Sequence, residues 1–490
     1  MNLVRTHCPK REPWRGISTL RAFGGLASVL LGCAFAGLAH AQTLSKTLVE
    51  AYLHNPKLES ERAALRAADE QVALAMSNWR PTISASAERR AYGEQRVSGG
   101  TAYQNSIYSG RLPQLSYGLS LDQPIFQGGQ EFAKLSRAEN KVYAARAQLV
   151  ATEQIVLLQV VGDYLDVLRD REIFAIESES MTALEKVAEA TRTRFAAGEV
   201  NRVDVAQAGA ALERARVQVY SAESALRTSE VAFERDVGIS PSSLEYPENG
   251  PQLPAAREAM EAAAQAHNPD ILIALFTARS DDDAIDEIRR AALPSLDVTA
   301  AYDTATGSLF RGSLIAERSV LLRVTWPIYQ AGTVEAQSRA AVHTAAADDI
   351  TLIDTRKKVS ASIASTLFQL QEQKRSLGIG ADIVRDNDAT YNGTLALERA
   401  GERSLFEVVS TEQTLLQSRV EQARTKREVF YLQYVLKSLM GELTAQGLKL
   451  PVNIYDATAH YDSVKNSWFG FDSEEDAVTV SNTRAADDGQ

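Results

Sequence analysis

The stretch QEFAKLSRAENKVYAARAQLVATEQIVLLQVVGDYLDVLRDREIFAIESESMTALEKVAEATRTRFAA, Gln130 to Ala197, decides the fold. It contains no proline and a single glycine, Gly162. Ala, Gln, Glu, Arg and Leu dominate it, residues that lose little side-chain freedom in a helix. Read as one helix it is roughly 100 Å long, several times an ordinary globular helix. A second stretch, Thr333 to Ala400, has the same length and no proline; Gly378, Gly380 and Gly393 make it the weaker rod. Two such rods are too long for a compact domain, so they must span something.

Outward from the rods, the chain contains itself twice. His54-Asn55-Pro56 recurs as His267-Asn268-Pro269, and Pro81 with Ile83-Ser84-Ala85 recurs as Pro294 with Leu296-Asp297-Val298, all shifted by 213 residues. Pro124-Ile125-Phe126-Gln127-Gly128-Gly129 recurs as Pro327-Ile328-Tyr329-Gln330-Ala331-Gly332, now shifted by 203. That shift carries Gly198 onto Gly401 and Gly238 onto Gly441 without a gap. The pattern reads as an internal tandem duplication. Its expected domains are 42–255 and 256–455, with a proline cluster at Pro241, Pro247, Pro251 and Pro254 between them.

Each half has one layout. A helical segment comes first, Lys57 to Asn78 or Ile271 to Ala292, entered through an Asn-Pro that suits a helix start. Two strand-like runs follow. Ile83, Ala85 and Ala87, then Leu115, Tyr117, Leu119 and Leu121, alternate with polar neighbours in the first half. Leu296, Val298, Ala300 and Tyr302, then Val320, Leu322, Val324 and Trp326, alternate in the second. Period two over such lengths is a strand with one apolar face. The segments Gly93–Arg111 and Thr304–Arg318, rich in Gly, Ser and polar residues, read as loops. After each strand pair comes the rod, a turn at Gly198 or Gly401, and a returning helix. The return from Asp204 to Asp236 carries Ala208, Leu212, Ala215, Val219, Ala222 and Leu226 at coiled-coil spacing.

Composition narrows the class. The formal charge is −11; the region before Gln42 carries a net +4, which leaves −15 on the remainder. An acidic body without a basic stripe excludes nucleic acid as partner. The six histidines are scattered, and the sequence has no phosphate-binding glycine loop and no Ser/His/Asp pattern on predicted strands. An enzyme is therefore not expected, nor is a cofactor or metal.

Residues 1–41 read as an export signal: a basic segment ending at Arg21, an apolar run from Ala22 to Leu38, and Ala39-His40-Ala41 before Gln42. Cleavage between Ala41 and Gln42 removes both cysteines, Cys8 and Cys33. The competing reading lipidates Cys33 within Leu30-Leu31-Gly32-Cys33. Beyond Gln42 no run is long and apolar enough for a membrane helix. After Pro451 the pattern dissolves, and 456–490 reads as an acidic, largely disordered tail.

Four strands cannot close a membrane barrel, since the smallest use eight. Strands of this length cross a bilayer with tilt, and open edges in lipid are very costly, so several copies must share one barrel. Tyr302 and Trp326 are expected at strand ends, where interfacial aromatics sit. The same alternation also fits a soluble hairpin packed on a helix.

The Asn-Pro entries, the Pro-x-aromatic-x-x-Gly step from strand to rod, and the turn from Arg194 through Gly198 to Val205 together resemble the TolC family of outer-membrane ducts. The resemblance runs from Thr43 to Pro451 and implies a mostly α fold with a membrane β-barrel portion. In it a homotrimer combines four strands per chain into one 12-stranded barrel, continued by a long coiled-coil helical tunnel. It further implies the outer membrane of a Gram-negative bacterium, contact with outer-membrane lipid, and extension into the periplasm. A periplasmic adaptor (a membrane fusion protein) and an inner-membrane ABC or proton-driven pump are the implied partners. Docking is expected at Gly198, Asn201, Arg202, Asp204, Gly401 and Arg403, the glycines reversing the chain; for Asp204, helix capping is the equal alternative. Arg403 and Glu407 are the expected constriction, although Ser410 stands where a second acidic ring is usual, and Leu397 and Glu398 replace the Arg194-Phe195 pattern of the first turn. The ending Tyr461-Asp462-Ser463-Val464-Lys465 with Trp468-Phe469-Gly470 is similar to members serving type I protein secretion. A multidrug or small-molecule efflux duct is the alternative, and a periplasmic coiled-coil adaptor the remote one.

Overall fold

A computed structural model describes residues 42–90, 114–247, 250–306, 312, 314–468 and 470. The export signal with Ala41, the loop Gly93–Arg111 and most of the tail lie outside the described residues. Helices α1 (Leu44–His54) and α2 (Pro56–Met76) lead into strands β1 (Thr82–Arg90) and β2 (Gln114–Gln127), then the rod α3 (Gln130–Ala196) and its return α4 (Arg202–Val237). The same order follows as α5 (Arg257–His267), α6 (Pro269–Arg290), β3 (Ser295–Thr306), β4 (Leu314–Thr325), α7 (Thr333–Arg399) and α8 (Leu405–Leu439). A short helix, α9 (Ala459–Val464), closes the described chain.

Both rods run unbroken for 67 residues. The glycines of α7 do not interrupt it, because an exposed Gly in a helix costs only about 1 kcal/mol against Ala. Helices α1 and α5, in front of the Asn-Pro pairs, are additions to the expected layout. The Asn side chain explains the break between them. Asn55 accepts from Lys57 N at 3.0 Å, and Asn268 accepts from Ile271 N at 3.2 Å, each followed by proline at the first helical position. Their amide nitrogens then reach across the fold. Asn55 Nδ2 donates to Asp236 O at 3.2 Å and Asn268 Nδ2 to Leu439 O at 2.9 Å, tying each helix entry to the last turn of a return helix.

The strands form one antiparallel sheet in the order β1-β2-β3-β4. Ile83 stands opposite Leu121, Leu119 opposite Tyr302, and Ala300 opposite Val320, which gathers the apolar residues on one face. Ser84 and Ser120 meet at 2.7 Å on the other face, as do Thr299 and Asp122. The apolar face has no covering layer: Val320 is 79% exposed and Leu322 64%. Two expectations shift. Strands β3 and β4 extend through Thr304–Thr306 and Leu314–Arg318, so those residues are strand rather than loop. Tyr302 is therefore interior to β3, whereas Trp326 does follow directly on β4.

Strand passes to rod at Gly128 and Gly129, both in the left-handed region (φ 68° and 75°). A Cβ at Gly128 would lie 2.6 Å from Arg290 O, so this step needs glycine for both conformation and space.

Rod α3 is the central element, packed by α2, α4, α6 and α8. Its densest core is at mid-length, where Leu157, Val160, Val161, Tyr164 and Leu165 meet Leu48 and Tyr52 of α1 and Phe233 of α4. The single O–H of Tyr164 is shared between Gln42 O at 2.8 Å and Glu245 O at 2.7 Å, and the same oxygen accepts from Glu245 N at 3.1 Å, binding residue 42 and the link between the halves to one side chain. The second half has its own core of Met260, Ile271, Ile363, Leu436 and Met440. Along α4, Ala208, Leu212, Ala215, Val219 and Ala222 are all buried, as the coiled-coil stripe requires, and Leu226 packs at the edge of the main core.

Beside the main core, Asp163 of α3 is buried, donor-bonded by Gln159 Nε2 at 3.0 Å, and faces Asp236 of α4. Burial first, and the neighbouring Asp236 carboxylate second, push Asp163 up to about 7, while Arg235 holds Asp236 ionised. A carboxyl raised above its ordinary value of 3.8 contributes stability below that value and loses it as pH rises through about 7. The α3–α4 pair should therefore weaken as pH rises from about 4 to about 7, by roughly 1 kcal/mol per pH unit at the steepest point. In Asp163→Asn the urea midpoint of the detergent-extracted protein should fall less steeply over that range than in the parent chain; an equally sloping midpoint would rule this pair out as a cause.

Candidate functional site: the two helical tips

The two helical hairpins end side by side. At the first tip Gly198 has φ 79°, with Gly198 N donating to Phe195 O at 3.0 Å and Glu199 N to Arg194 O at 2.9 Å. At the second, Gly401 has φ 77°, with Gly401 N donating to Glu398 O and Glu402 N to Leu397 O, both at 2.9 Å. These are glycine-terminated helix ends that return donors to the last orphan carbonyls of the rods.

The returning helices start with reciprocal caps. Asn201 accepts from Val203 N (2.7 Å) and Asp204 N (3.0 Å), and Asp204 Oδ2 accepts from Asn201 N at 3.1 Å. Ser404 Oγ accepts from Glu407 N at 3.4 Å, while Glu407 Oε2 accepts from Ser404 N at 3.1 Å. Both are capping boxes, which satisfy two orphan N–H donors at each start. Asp204 and Glu407 thus share one local job, at the third position of their helices.

Arg403 pairs with Glu407 at 3.0 Å across an exposed turn. The Ser404 amide first, and Arg403 second, lower the Glu407 pKa, so that carboxylate stays charged. Arg202 is exposed at the first position of α4, and Ser410 is exposed on α8. Gly198, Asn201, Arg202 and Asp204 therefore gather at one tip, and Gly401, Arg403 and Glu407 at the other.

What joins the tips is a set of residues that the motifs do not mark. Leu405 of the second hairpin packs with Ala188, Ala208 and Leu212 of the first. Arg194 Nη1 donates to Glu398 Oε1 at 2.5 Å and its Nε to Glu199 at 3.3 Å, so one guanidinium bridges both turns. Its faint signal in sequence is the departure at Leu397-Glu398: the second turn lacks the Arg-Phe pair and supplies a carboxylate instead. Deeper along the rods, buried Ser180 donates to buried Glu412, and burial raises the Glu412 pKa. Arg419 of α8 reaches Glu179 of α3 at 3.2 Å and Asp388 of α7 at 3.1 Å, linking three helices. At the two tips Phe195, Val203, Leu397 and Phe406 remain exposed, apolar side chains on a charged end. Among the described residues no group of His, Cys, Asp and Glu is placed to hold a metal ion, and no helix is long and apolar enough to cross a membrane.

Two hairpins built on rods of this length, joined to a small sheet with a bare apolar face, define the class of channel-tunnel outer-membrane proteins. The chain belongs to the outer membrane efflux protein family, whose profile matches residues 47–238 and 262–442. It is 30% identical over 455 residues to the outer membrane efflux protein BepC of Brucella suis, covering 91% of this chain and 95% of that one. With the outer membrane protein TolC of Escherichia coli it shares 24% identity over 444 residues, 86% of this chain and 87% of the relative. The crystal structure of the Campylobacter jejuni CmeC outer membrane channel superimposes with a TM-score of 0.73 at 17% identity, covering 86% of this chain and 89% of the other. The fold and the outer-membrane location follow.

The tip geometry makes two measurable statements. Removing a reciprocal cap costs about 1 kcal/mol, so Asn201→Ala and Ser404→Ala should each speed amide exchange in the first turns of α4 and α8 several-fold while leaving mid-rod exchange unchanged. A double-mutant cycle of Arg194→Ala and Glu398→Gln should return a coupling of about 0.2–1 kcal/mol, the range for partly exposed pairs; additive effects would show that the bridge contributes nothing to tip cohesion.

Proposed function

We propose that three copies of this chain form the outer-membrane duct of a tripartite export machine. The observation that carries this reading is the sheet: its outer strands β1 and β4 each leave one edge unpaired among the described residues, next to an uncovered apolar face. Four strands do not close a barrel, and three copies supply twelve. Strand edges in hydrocarbon must be paired, so the copies join edge to edge. Below the sheet the rods continue as a helical tunnel, and exposed apolar side chains on α4 (Val217, Tyr220, Val231) and α7 (Ile350, Phe368, Ile379) supply the faces along which neighbours pack.

In this reading residues 1–41 direct export and are removed between Ala41 and Gln42. The tips face the inner membrane, where Gly198, Asn201, Arg202, Asp204, Gly401 and Arg403 meet a periplasmic adaptor, and an ABC or proton-driven pump supplies the energy. Arg403 and Glu407 approach the axis three times over and form the constriction. The exported class is protein, by type I secretion, supported by the segment Tyr461–Lys465 with Trp468, which is folded onto the helical body through α9. Small-molecule efflux is the second reading, favoured by membership of the outer membrane efflux protein family and by likeness to the efflux protein BepC.

Crosslinking in outer-membrane vesicles tests the assembly: the reading expects a ladder ending at three chains, and a ladder ending at one or two would defeat it. Single-channel recording tests the constriction. Glu407→Ala should lower cation preference and weaken block by multivalent cations, and Arg403→Ser should raise conductance; unchanged selectivity and conductance in both would place the narrowest point elsewhere. Docking is tested by Gly198→Pro with Gly401→Pro, since proline cannot take φ near +78° and lacks the donor each turn uses. Crosslinking to the adaptor should fall while the barrel still inserts; normal crosslinking and export from a folded double variant would remove the turns from the docking surface.

A further inference from the structure

After α8 the chain does not leave the body. From Pro451 to Trp468 it runs back along α2 as a strap. Tyr455 N donates to Tyr52 OH at 3.1 Å, and the Arg62 guanidinium lies 5.3 Å from the Tyr455 ring. Further along, His460 Nδ1 lies 3.3 Å from Asp69 Oδ2, and Arg146 stacks 5.1 Å from Tyr461. The strap ends at the foot of β1, where Arg80 donates to Ser467 O and its guanidinium stands 5.2 Å from the Trp468 ring. Its contacts thus advance from residue 52 to residue 80 of the first half, from the main core to the sheet.

At that end the surface changes character. Trp468 is 60% exposed although its neighbours hold it in place. Phe126, Phe132, Trp326 and Tyr329, at the feet of β2 and β4, are exposed as well, and Trp79 meets Phe132 edge-on at 5.5 Å. Indole at the junction of an apolar strand face and a polar helical body suits a bilayer headgroup layer, one end apolar and the other wet. Arg80 is half-buried and has no carboxylate partner among the described residues. A guanidinium with donors to spare, stacked on an indole, is matched to a phosphate.

We propose that the strap ends in a lipid clamp, in which Arg80 and Trp468 together bind a phospholipid headgroup of the leaflet facing the helical body. The clamp rests on the barrel reading above. It pins the C-terminal strap, through Trp468, to the membrane surface at the foot of β1. The apolar strand face begins close by in the chain: Ile83, three residues after Arg80, stands opposite Leu121.

Tryptophan quenching in vesicles tests this. Full-length variants keep Trp468 or Trp326 as sole tryptophan, the others replaced by phenylalanine, in phosphatidylethanolamine–phosphatidylglycerol vesicles brominated near the headgroup or near the chain end. Both tryptophans should lose most emission to the shallow bromine and little to the deep one. Arg80→Gln in the sole-Trp468 background should abolish most of that loss, while the same substitution leaves quenching of Trp326 intact and so reports a correctly inserted barrel. Quenching of Trp326 without quenching of Trp468 overturns the clamp and leaves the barrel standing; quenching of neither overturns the barrel reading and the clamp with it. Trp468 shielded from both lipid bromine and aqueous acrylamide would mean that another copy of the chain covers it, which also overturns the proposal. So would Trp468 quenching that Arg80→Gln does not change.

Discussion

The two open edges of the four-stranded sheet are the constraint on which the rest of this structure depends, and in the proposed barrel they would lie in hydrocarbon. Each unpaired backbone N–H or C=O away from water costs on the order of several kcal/mol, and water inside a bilayer is not there to relieve it. The sheet of this chain has strands of 9 to 14 residues and two outer edges. Nothing in the described chain folds over either edge or over the apolar face beside them. In the proposed assembly further copies complete the sheet, and the long helices have the same need: α4 and α7 carry exposed Val, Tyr, Ile and Phe side chains that neighbouring copies would cover.

The helical body resolves a different problem, that of holding rods together over so great a length. It does not use one continuous core. Apolar clusters occur at mid-length around Tyr164 and Phe233, near the sheet around Val72 and Val142, and at the tips around Leu212 and Leu405. Between them lie polar crosslinks, among them Ser180 to Glu412, Arg419 to Glu179 and Asp388, and Arg427 to Asp166. Packed segments keep the rods in register. Polar seams, whose net worth per bond is only about 1 kcal/mol, permit neighbouring segments to shift without breaking a core. Carboxyls such as Asp163, Glu177 and Glu412, all raised chiefly by burial, make those seams most cohesive in acid.

Much of this layout was legible in the sequence, because period is a backbone property. The absence of proline between Gln130 and Ala197 reports an uninterrupted helix, and alternation from Ile83 to Ala87 reports a strand with one apolar face. Asn-Pro gave the helix entries, and glycine with Asn-x-x-Asp or Ser-x-x-Glu gave turn and cap. Contacts between distant residues carry no period. The reach of Asn55 to Asp236 O and of Asn268 to Leu439 O is invisible until α4 and α8 are laid beside the entries. Tyr302 was expected at a strand end because Thr304 to Thr306 look like loop residues; ladder pairing with Leu115 to Tyr117 carries β3 past them. The strap after Pro451 was hidden for the same reason. Its hold on the body comes from single side chains, Tyr455, His460, Tyr461 and Trp468, each meeting a partner more than 300 residues away.

The tips show where likeness between the halves must stop. Each returning helix has the same need, to satisfy the first N–H groups of its own backbone, so Asn201 with Asp204 and Ser404 with Glu407 arrive at the same box from different residues. The rods' ends have the opposite need, since they meet one another. At an offset of 203 residues, Arg194 falls on Leu397 and Phe195 on Glu398. Had both turns kept arginine, two guanidinium groups would crowd one seam and repel. With glutamate one position further along the second turn, the guanidinium of the first finds a carboxylate at 2.5 Å and still reaches Glu199 of its own turn. Capping is a relation of a helix to itself and can be repeated; cohesion between two hairpins is a relation of complements, and it requires that the two turns differ.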